Sequence, residues 1–103
     1  MYSAIETNQD QLRSLCRVHR VQRLSLFGSA TSDNFDPSVS DLDFLVEFQP
    51  LSPRERAEHY FGLLEDLEAL FGMNIDLVEL SPIRNPYFRQ AVENSRVDLF
   101  DAA

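Results

Sequence analysis

The sequence predicts an α+β (or α/β) fold, a small β-sheet with helices on at least one face. Three observations predict it. "SPRERAEHYFGLLEDLEALFG" (52–72) repeats apolar residues at helical spacing. "DLDFLVEF" (41–48) alternates acidic and apolar residues at strand spacing. Weaker segments of both kinds alternate along the chain in the order α-β-(α)-β-α-β-α-β.

A first helix is predicted over about residues 8–19, with Leu12, Leu15, Cys16 and His19 on one face and Thr7 or Asn8 as its cap. "VQRLSLF" (21–27) reads as a short strand with Leu24 and Leu26 inward. Gly28 and Ser29 break that strand and open a short helix or turn. "SDNFDPSVS" (32–40) has the composition of a loop. In the long helix Ser52 is the N-cap, Pro53 takes the first helical position and Glu55 completes a capping box. Tyr60, Leu63, Leu64, Leu67, Leu70 and Phe71 form its apolar face, and Gly72 ends it. "NIDLVEL" (74–80) reads as a third strand, residues 85–94 as a short helix and "RVDLF" (96–100) as a last strand.

The length of 103 residues predicts a single domain, 1–103, and 44% hydrophobic residues are enough for a core. The formal net charge of −8 argues against direct nucleic-acid binding and favours a basic protein partner or metal-bound nucleotide. All nine Lys and Arg positions are arginine, so any phosphate clamp uses guanidinium groups or backbone N–H, and lysine chemistry is excluded. The one cysteine, Cys16, falls on a helical apolar face and reads as buried filler, and the chain cannot form an internal disulfide. No apolar run approaches a membrane span and the first residues lack a secretory pattern, so the expected location is the cytoplasm, away from membranes.

The chemistry concentrates in "LFGSATSDNFDPSVSDLDFLVEF" (26–48). Successive strand side chains point to opposite faces, so Asp41 and Asp43 share one face while Leu42, Phe44, Val46 and Phe48 form the other. Two carboxylates at that spacing, roughly 6.5–7 Å between Cα atoms, suit Mg²⁺ or Mn²⁺, which also bind substrate phosphates. Asp76 in "NIDLV" comes onto the same face if its strand lies beside 41–48. Three converging carboxylates repel one another without a cation, and with one they make a phosphoryl-transfer site in which the third assists deprotonation of the attacking hydroxyl. Gly28 and Ser29, at a strand-to-helix turn, offer backbone N–H groups and a hydroxyl to a phosphate. Gly-Ser alone usually marks only a turn, and Asp-x-Asp alone occurs on surface strands by chance; the joint pattern is far more specific. A calcium loop does not fit: Phe35 stands where an acidic residue is needed, and a central glycine and a closing glutamate are missing.

This stretch resembles the signature of the minimal nucleotidyltransferases, within the polymerase-beta-like superfamily, whose members typically read Gly-Ser, ten residues, Asp-x-Asp, then a hydrophobic strand. The tail "NPYFRQAVENSRVDLF" also resembles the end of such proteins, and the resemblance covers nearly the whole chain. It implies a small mixed, palm-like sheet flanked by helices and Mg²⁺-dependent transfer of a nucleotide from an NTP such as ATP. Gly28 and Ser29 would hold the triphosphate, and Asp41, Asp43 and Asp76 would be the catalytic, metal-binding carboxylates. It further implies a HEPN-domain RNase toxin as partner, with this chain as antitoxin that adenylylates a toxin tyrosine. Two features depart from the family pattern. Eleven residues separate Ser29 from Asp41, and "ATSDN" stands where the family has Ala-Arg-Gly. The second departure supports an alternative, a catalytically weak antitoxin that acts by binding alone. A further alternative is nucleotidyl transfer to a small molecule. Arg84 and Arg89 are candidates to replace the missing arginine.

The other polar residues read as structural. His19 and His59 are expected at surface or boundary positions, Glu47 and Glu79 as solvated edge charges, and Tyr87 and Phe88 as core or interface anchors. Glu65, Asp66 and Glu68 form an acidic patch, a solvated face or a dock for a basic partner.

Overall fold

A computed structural model describes residues 1–80 and 96–102. The helix predicted over 85–94 and the residues Arg84, Tyr87, Phe88 and Arg89 lie outside the described residues. Four strands form one mixed sheet: β1 (Val21–Phe27), β2 (Leu42–Phe48), β3 (Ile75–Glu79) and β4 (Val97–Asp101), in the order β3-β2-β1-β4. β1 pairs antiparallel with both β2 and β4, and β2 pairs parallel with β3. Helices α1 (Ser3–Thr7), α2 (Gln9–Val18) and α3 (Pro53–Phe71) complete the described elements with a 3-10 turn over Gly28–Thr31. No helix among the described residues is long and apolar enough to cross a membrane.

Alternation along the strands sets the layers. Leu24, Leu26, Leu42, Phe44 and Val46 are buried and meet Ile5, Leu12, Cys16, Leu63 and Leu67 of the helices in one core. Among the described residues, the opposite sheet face carries a small apolar cluster, Leu45 and Leu80 with Phe27 against them. Burial pushes the Cys16 thiol up to about 12, which keeps it protonated and inert, as expected of filler.

The long helix forms as its termini dictate. The Ser52 hydroxyl accepts from the Glu55 amide at 3.2 Å, the Glu55 carboxylate accepts from the Ser52 amide at 3.4 Å, and Pro53 opens the helix. Gly72 closes it in the left-handed region at φ 63°. The N-terminal helix keeps its expected bounds to within a residue, with Asn8 at the N-cap position, and differs only in the cap bond. It spans Gln9–Val18, and Asn8 stands at its start without a side-chain cap, because its amide instead donates to the Ala4 carbonyl at 2.8 Å. That bond closes α1, a five-residue helix too short to show a periodic signal.

The rim at β3 is covered. The ladder to β2 uses Asn74 O and Leu80 N, so odd-numbered residues of β3 turn their backbone groups outward. The Tyr60 hydroxyl of α3 donates to one of these, the Leu77 carbonyl, and Arg56 pairs with Glu79 at 3.1 Å. Glu79 is thus an ion-pair partner rather than a solvated charge.

Glu47 also departs from its expected setting, whereas His19 holds the boundary position expected of it. The Glu47 carboxylate is 22% exposed and lies 4.0 Å from the buried Arg96 guanidinium. The His19 side chain, only 12% exposed, turns inward and bonds Asp66 at 2.6 Å. Gly62 explains how it fits: a Cβ there would lie 2.7 Å from His19 Cε1, so the mid-helix glycine, a cost of about 1 kcal/mol against alanine, makes room for the ring. Asp66 accordingly belongs to a side-chain pair and not simply to a solvated acidic face.

Removing the α3 cap should show directly in stability. Ser52→Ala is expected to lower unfolding free energy by about 1 kcal/mol and Tm by roughly 4–8 °C, measured by thermal circular dichroism.

Candidate active site

Register brings the acidic residues together. In the parallel pair β2–β3, Asp43 stands directly beside Asp76, and their neighbours Leu42–Ile75 and Phe44–Leu77 point to the helix side. Adjacent strands lie roughly 4.8 Å apart, so the two carboxylates face outward side by side. Asp41 is exposed and precedes β2 by one residue, so the Asp-x-Asp motif enters the strand at Leu42, and of its two aspartates Asp43 alone lies within it.

The electrostatics follow from this placement. Asp43 is held above the ordinary carboxylate range, first by partial burial, then by the charges of Asp76 and Asp41, and also by a hydrogen bond shared with Asp76. Every one of these influences favours a proton or another cation between the carboxylates. Among the described residues, no three His, Cys, Asp or Glu side chains already stand close enough to share a metal ion. The oxygen-only donor set of Asp43 and Asp76, with Asp41 beside them, nevertheless fits Mg²⁺ or Mn²⁺ in chemistry and in charge.

The Gly-Ser turn lies against the same spot. In the antiparallel pair β1–β2, Phe27 is opposite Asp43, so the residues that follow it start at the carboxylate. Gly28 adopts φ 73°, and a Cβ on it would sit 2.5 Å from Asp43 Oδ2. Both the backbone conformation and the space exclude a side chain there. Gly28 and Ser29 are exposed, as a phosphate cradle requires.

The segment that departs from the family pattern braces this turn. The Thr31 hydroxyl donates to the Gly28 carbonyl at 2.8 Å, and the Ser32 hydroxyl and amide both donate to the Ser29 carbonyl, at 3.0 and 3.1 Å. The Tyr2 amide donates to the Ala30 carbonyl at 2.9 Å, and the Tyr2 ring packs on Phe35 with centroids 4.7 Å apart. Sequence reading missed these supports. Phe35, an aromatic residue in an otherwise polar loop, was the visible signal for one of them.

The far end of the same sheet face is locked by charge. Asp98 accepts from Arg23 at 3.1 and 2.8 Å, from the Ser25 hydroxyl at 2.7 Å and from Arg96 at 3.2 Å. The Arg23 bonds lead in holding its carboxyl down, at about 2. This network ties β4 to β1 and satisfies Ser25, the buried polar residue of β1.

The folded chain holds the Asp43 proton more tightly than the unfolded chain does. This group therefore favours folding most below the ordinary carboxylate pKa of about 3.9, and that advantage is lost as pH rises through its raised folded value. Asp43→Asn should raise Tm at pH 7 in EDTA and flatten the decline above pH ~4. Asp98 acts oppositely: its contribution is present above about 3.9 and is lost as pH falls toward about 2. Gly28→Ala should cost roughly 1–3 kcal/mol in urea unfolding. Part of that loss should return in the Gly28→Ala/Asp43→Ala double variant, where the contact with Oδ2 is gone.

Comparison with known proteins agrees with this geometry. Residues 9–99 match the model of the nucleotidyltransferase domain family. Two Methanocaldococcus jannaschii proteins named as protein adenylyltransferases, MJ1379 and MJ0128, are each 32% identical over 79 residues, which is 77% of this chain and 77% and 76% of theirs. A solved minimal nucleotidyltransferase superposes with TM-score 0.65 at 26% identity, covering 93% of both chains. A chain from the complex of the tri-AMPylated Shewanella oneidensis HEPN toxin with MNT antitoxin superposes with TM-score 0.58 at 23% identity, covering 95% of this chain and 73% of that one. A paired sheet that sets a glycine turn against two aspartates, together with a family match over most of its length, places this chain in the nucleotidyltransferase domain family, as a nucleotidyltransferase.

Proposed function

We propose that this chain transfers AMP from ATP to a hydroxyl of a partner protein, a tyrosine of a HEPN-domain toxin, and so acts as its antitoxin. The observation that carries the reading is the meeting of Gly28, Asp43 and Asp76 at one edge of the sheet. The names of the M. jannaschii relatives and the AMPylated toxin in the S. oneidensis complex support the choice of a protein acceptor.

In this reading the amides after Gly28 and the Ser29 hydroxyl hold the triphosphate. Asp41, Asp43 and Asp76 hold Mg²⁺ or Mn²⁺, which when bound neutralises phosphate and carboxylate charge. Asp76 takes the proton of the acceptor hydroxyl. The hydroxyl oxygen bonds to the α-phosphorus, the bond from that phosphorus to the bridging oxygen breaks, and pyrophosphate leaves. The role of Gly28 is steric as well as electrostatic, because the phosphate approaches where a side chain would otherwise stand.

A second reading, neutralisation by binding alone, draws on Thr31 and Ser32, which stand in the region where the family has an arginine and are spent on bracing the turn. One experiment separates the two. The chain is incubated with Mg²⁺, ATP and the product of the neighbouring reading frame, tested as the HEPN-domain partner, and the partner's intact mass is measured. Transfer adds about 329 Da per AMP, as phosphoester formation requires. EDTA or the Asp41→Asn/Asp43→Asn variant should abolish the gain, while Glu47→Gln, further along the same strand, should keep it. Silencing of the partner's RNase activity without a mass change would establish masking instead.

A further inference from the structure

Outside the sheet-face site, the polar cluster with the most ordered geometry lies in the helix layer, on the other side of the sheet. His19 closes α2 and His59 projects from the first half of α3. Their Nδ1 atoms face each other at 3.4 Å, with the rings nearly perpendicular. His19 Nε2 is held by Asp66 Oδ2 at 2.6 Å. Gly62 leaves the space that the His19 ring fills.

We propose that His19 and His59 form a binding site for a borderline divalent transition-metal ion, of which Zn²⁺ is the type. Three features carry this. Zn–N bonds of about 2.0–2.1 Å in tetrahedral geometry place two ligand nitrogens about 3.3–3.4 Å apart, and the two Nδ1 atoms already have that separation. Asp66 lies within bonding distance of His19 Nε2, and a ring that donates from Nε2–H alone turns its Nδ1 lone pair to His59. A carboxylate behind a ligand histidine is the usual support at such sites. The His19 ring is sequestered and positioned by Gly62 rather than free to turn away. The protein supplies two nitrogen ligands, and water completes the shell. Imidazole donors select Zn²⁺ over Mg²⁺, so Mg²⁺ is left to the oxygen-only site on the opposite face. A bound ion would join the end of α2 to α3.

The chain contains two histidines, so its imidazole spectrum is unambiguous. Tag-free protein is titrated with ZnCl₂ and followed by long-range ¹H–¹⁵N correlation and by calorimetry. Zn²⁺ should move both Nδ1 resonances and leave both Nε2 assignments in place, and MgCl₂ should move neither. Zn²⁺ should also raise Tm by several degrees. Measured in an Asp43→Asn background, which weakens the competing carboxylate site, His19→Gln and His59→Gln should each abolish the rise, and Asp66→Asn should weaken binding about tenfold. The proposal is overturned if only one Nδ1 responds, if neither does, or if both single-histidine variants bind Zn²⁺ like the parent. Should a variant fail to fold, the parent spectrum alone decides, because a proton shared between the rings leaves both Nδ1 signals indifferent to Zn²⁺.

Discussion

The register of β2 against β3 is the constraint on which the rest of the molecule depends. It sets Asp43 directly beside Asp76, two like charges on neighbouring strands, an arrangement a sheet avoids unless something else holds it in place. What holds it is the other face. Leu42, Phe44 and Leu77 alternate with the aspartates and are buried under the helices. A slip of one residue would turn those side chains to solvent and the carboxylates into the core. The apolar face thus imposes the repulsion on the polar face.

The same logic explains which parts could be read from the chain alone. The strands, the long helix and its two ends were legible because each depends on local periodicity or on a cap within a few residues. The site was legible because Gly28, Ser29, Asp41 and Asp43 lie on consecutive elements with little freedom between them, and because the strand of Asp76 shows its phase plainly. The pairing of Asp43 with Asp76 itself required the sheet order, which pattern alone left conditional. What stayed hidden was carried by single contacts between distant residues. His19 meets Asp66 across 47 positions and Ser25 meets Asp98 across 73, and no spacing rule connects them. The bond from Tyr2 to Ala30 is likewise invisible, because a backbone amide has no sequence signature.

The loop between the glycine turn and β2 shows how one variation is absorbed. Its first residues tie themselves to the turn through hydroxyl groups, while Phe35 reaches back to Tyr2. At its far end the Asp36 carboxylate accepts from the amide and hydroxyl of Ser38. The segment therefore has its own internal order, and the extra length does not displace Gly28 from Asp43. Local hydroxyl and carboxylate bonds of this kind are the ordinary means by which short polar segments keep a defined path.

The Tyr60 hydroxyl on the outer carbonyl of β3 has a consequence for how copies of this protein meet one another. An uncovered strand is a template on which another chain can lengthen a sheet, and that is a common start of aggregation and strand exchange. At β3 that template is interrupted midway by Tyr60 and flanked by the Arg56–Glu79 pair. The sheet is thereby given a rim at β3 that its own long helix closes to strand addition, so a second copy cannot lengthen the sheet from that side without first displacing Tyr60.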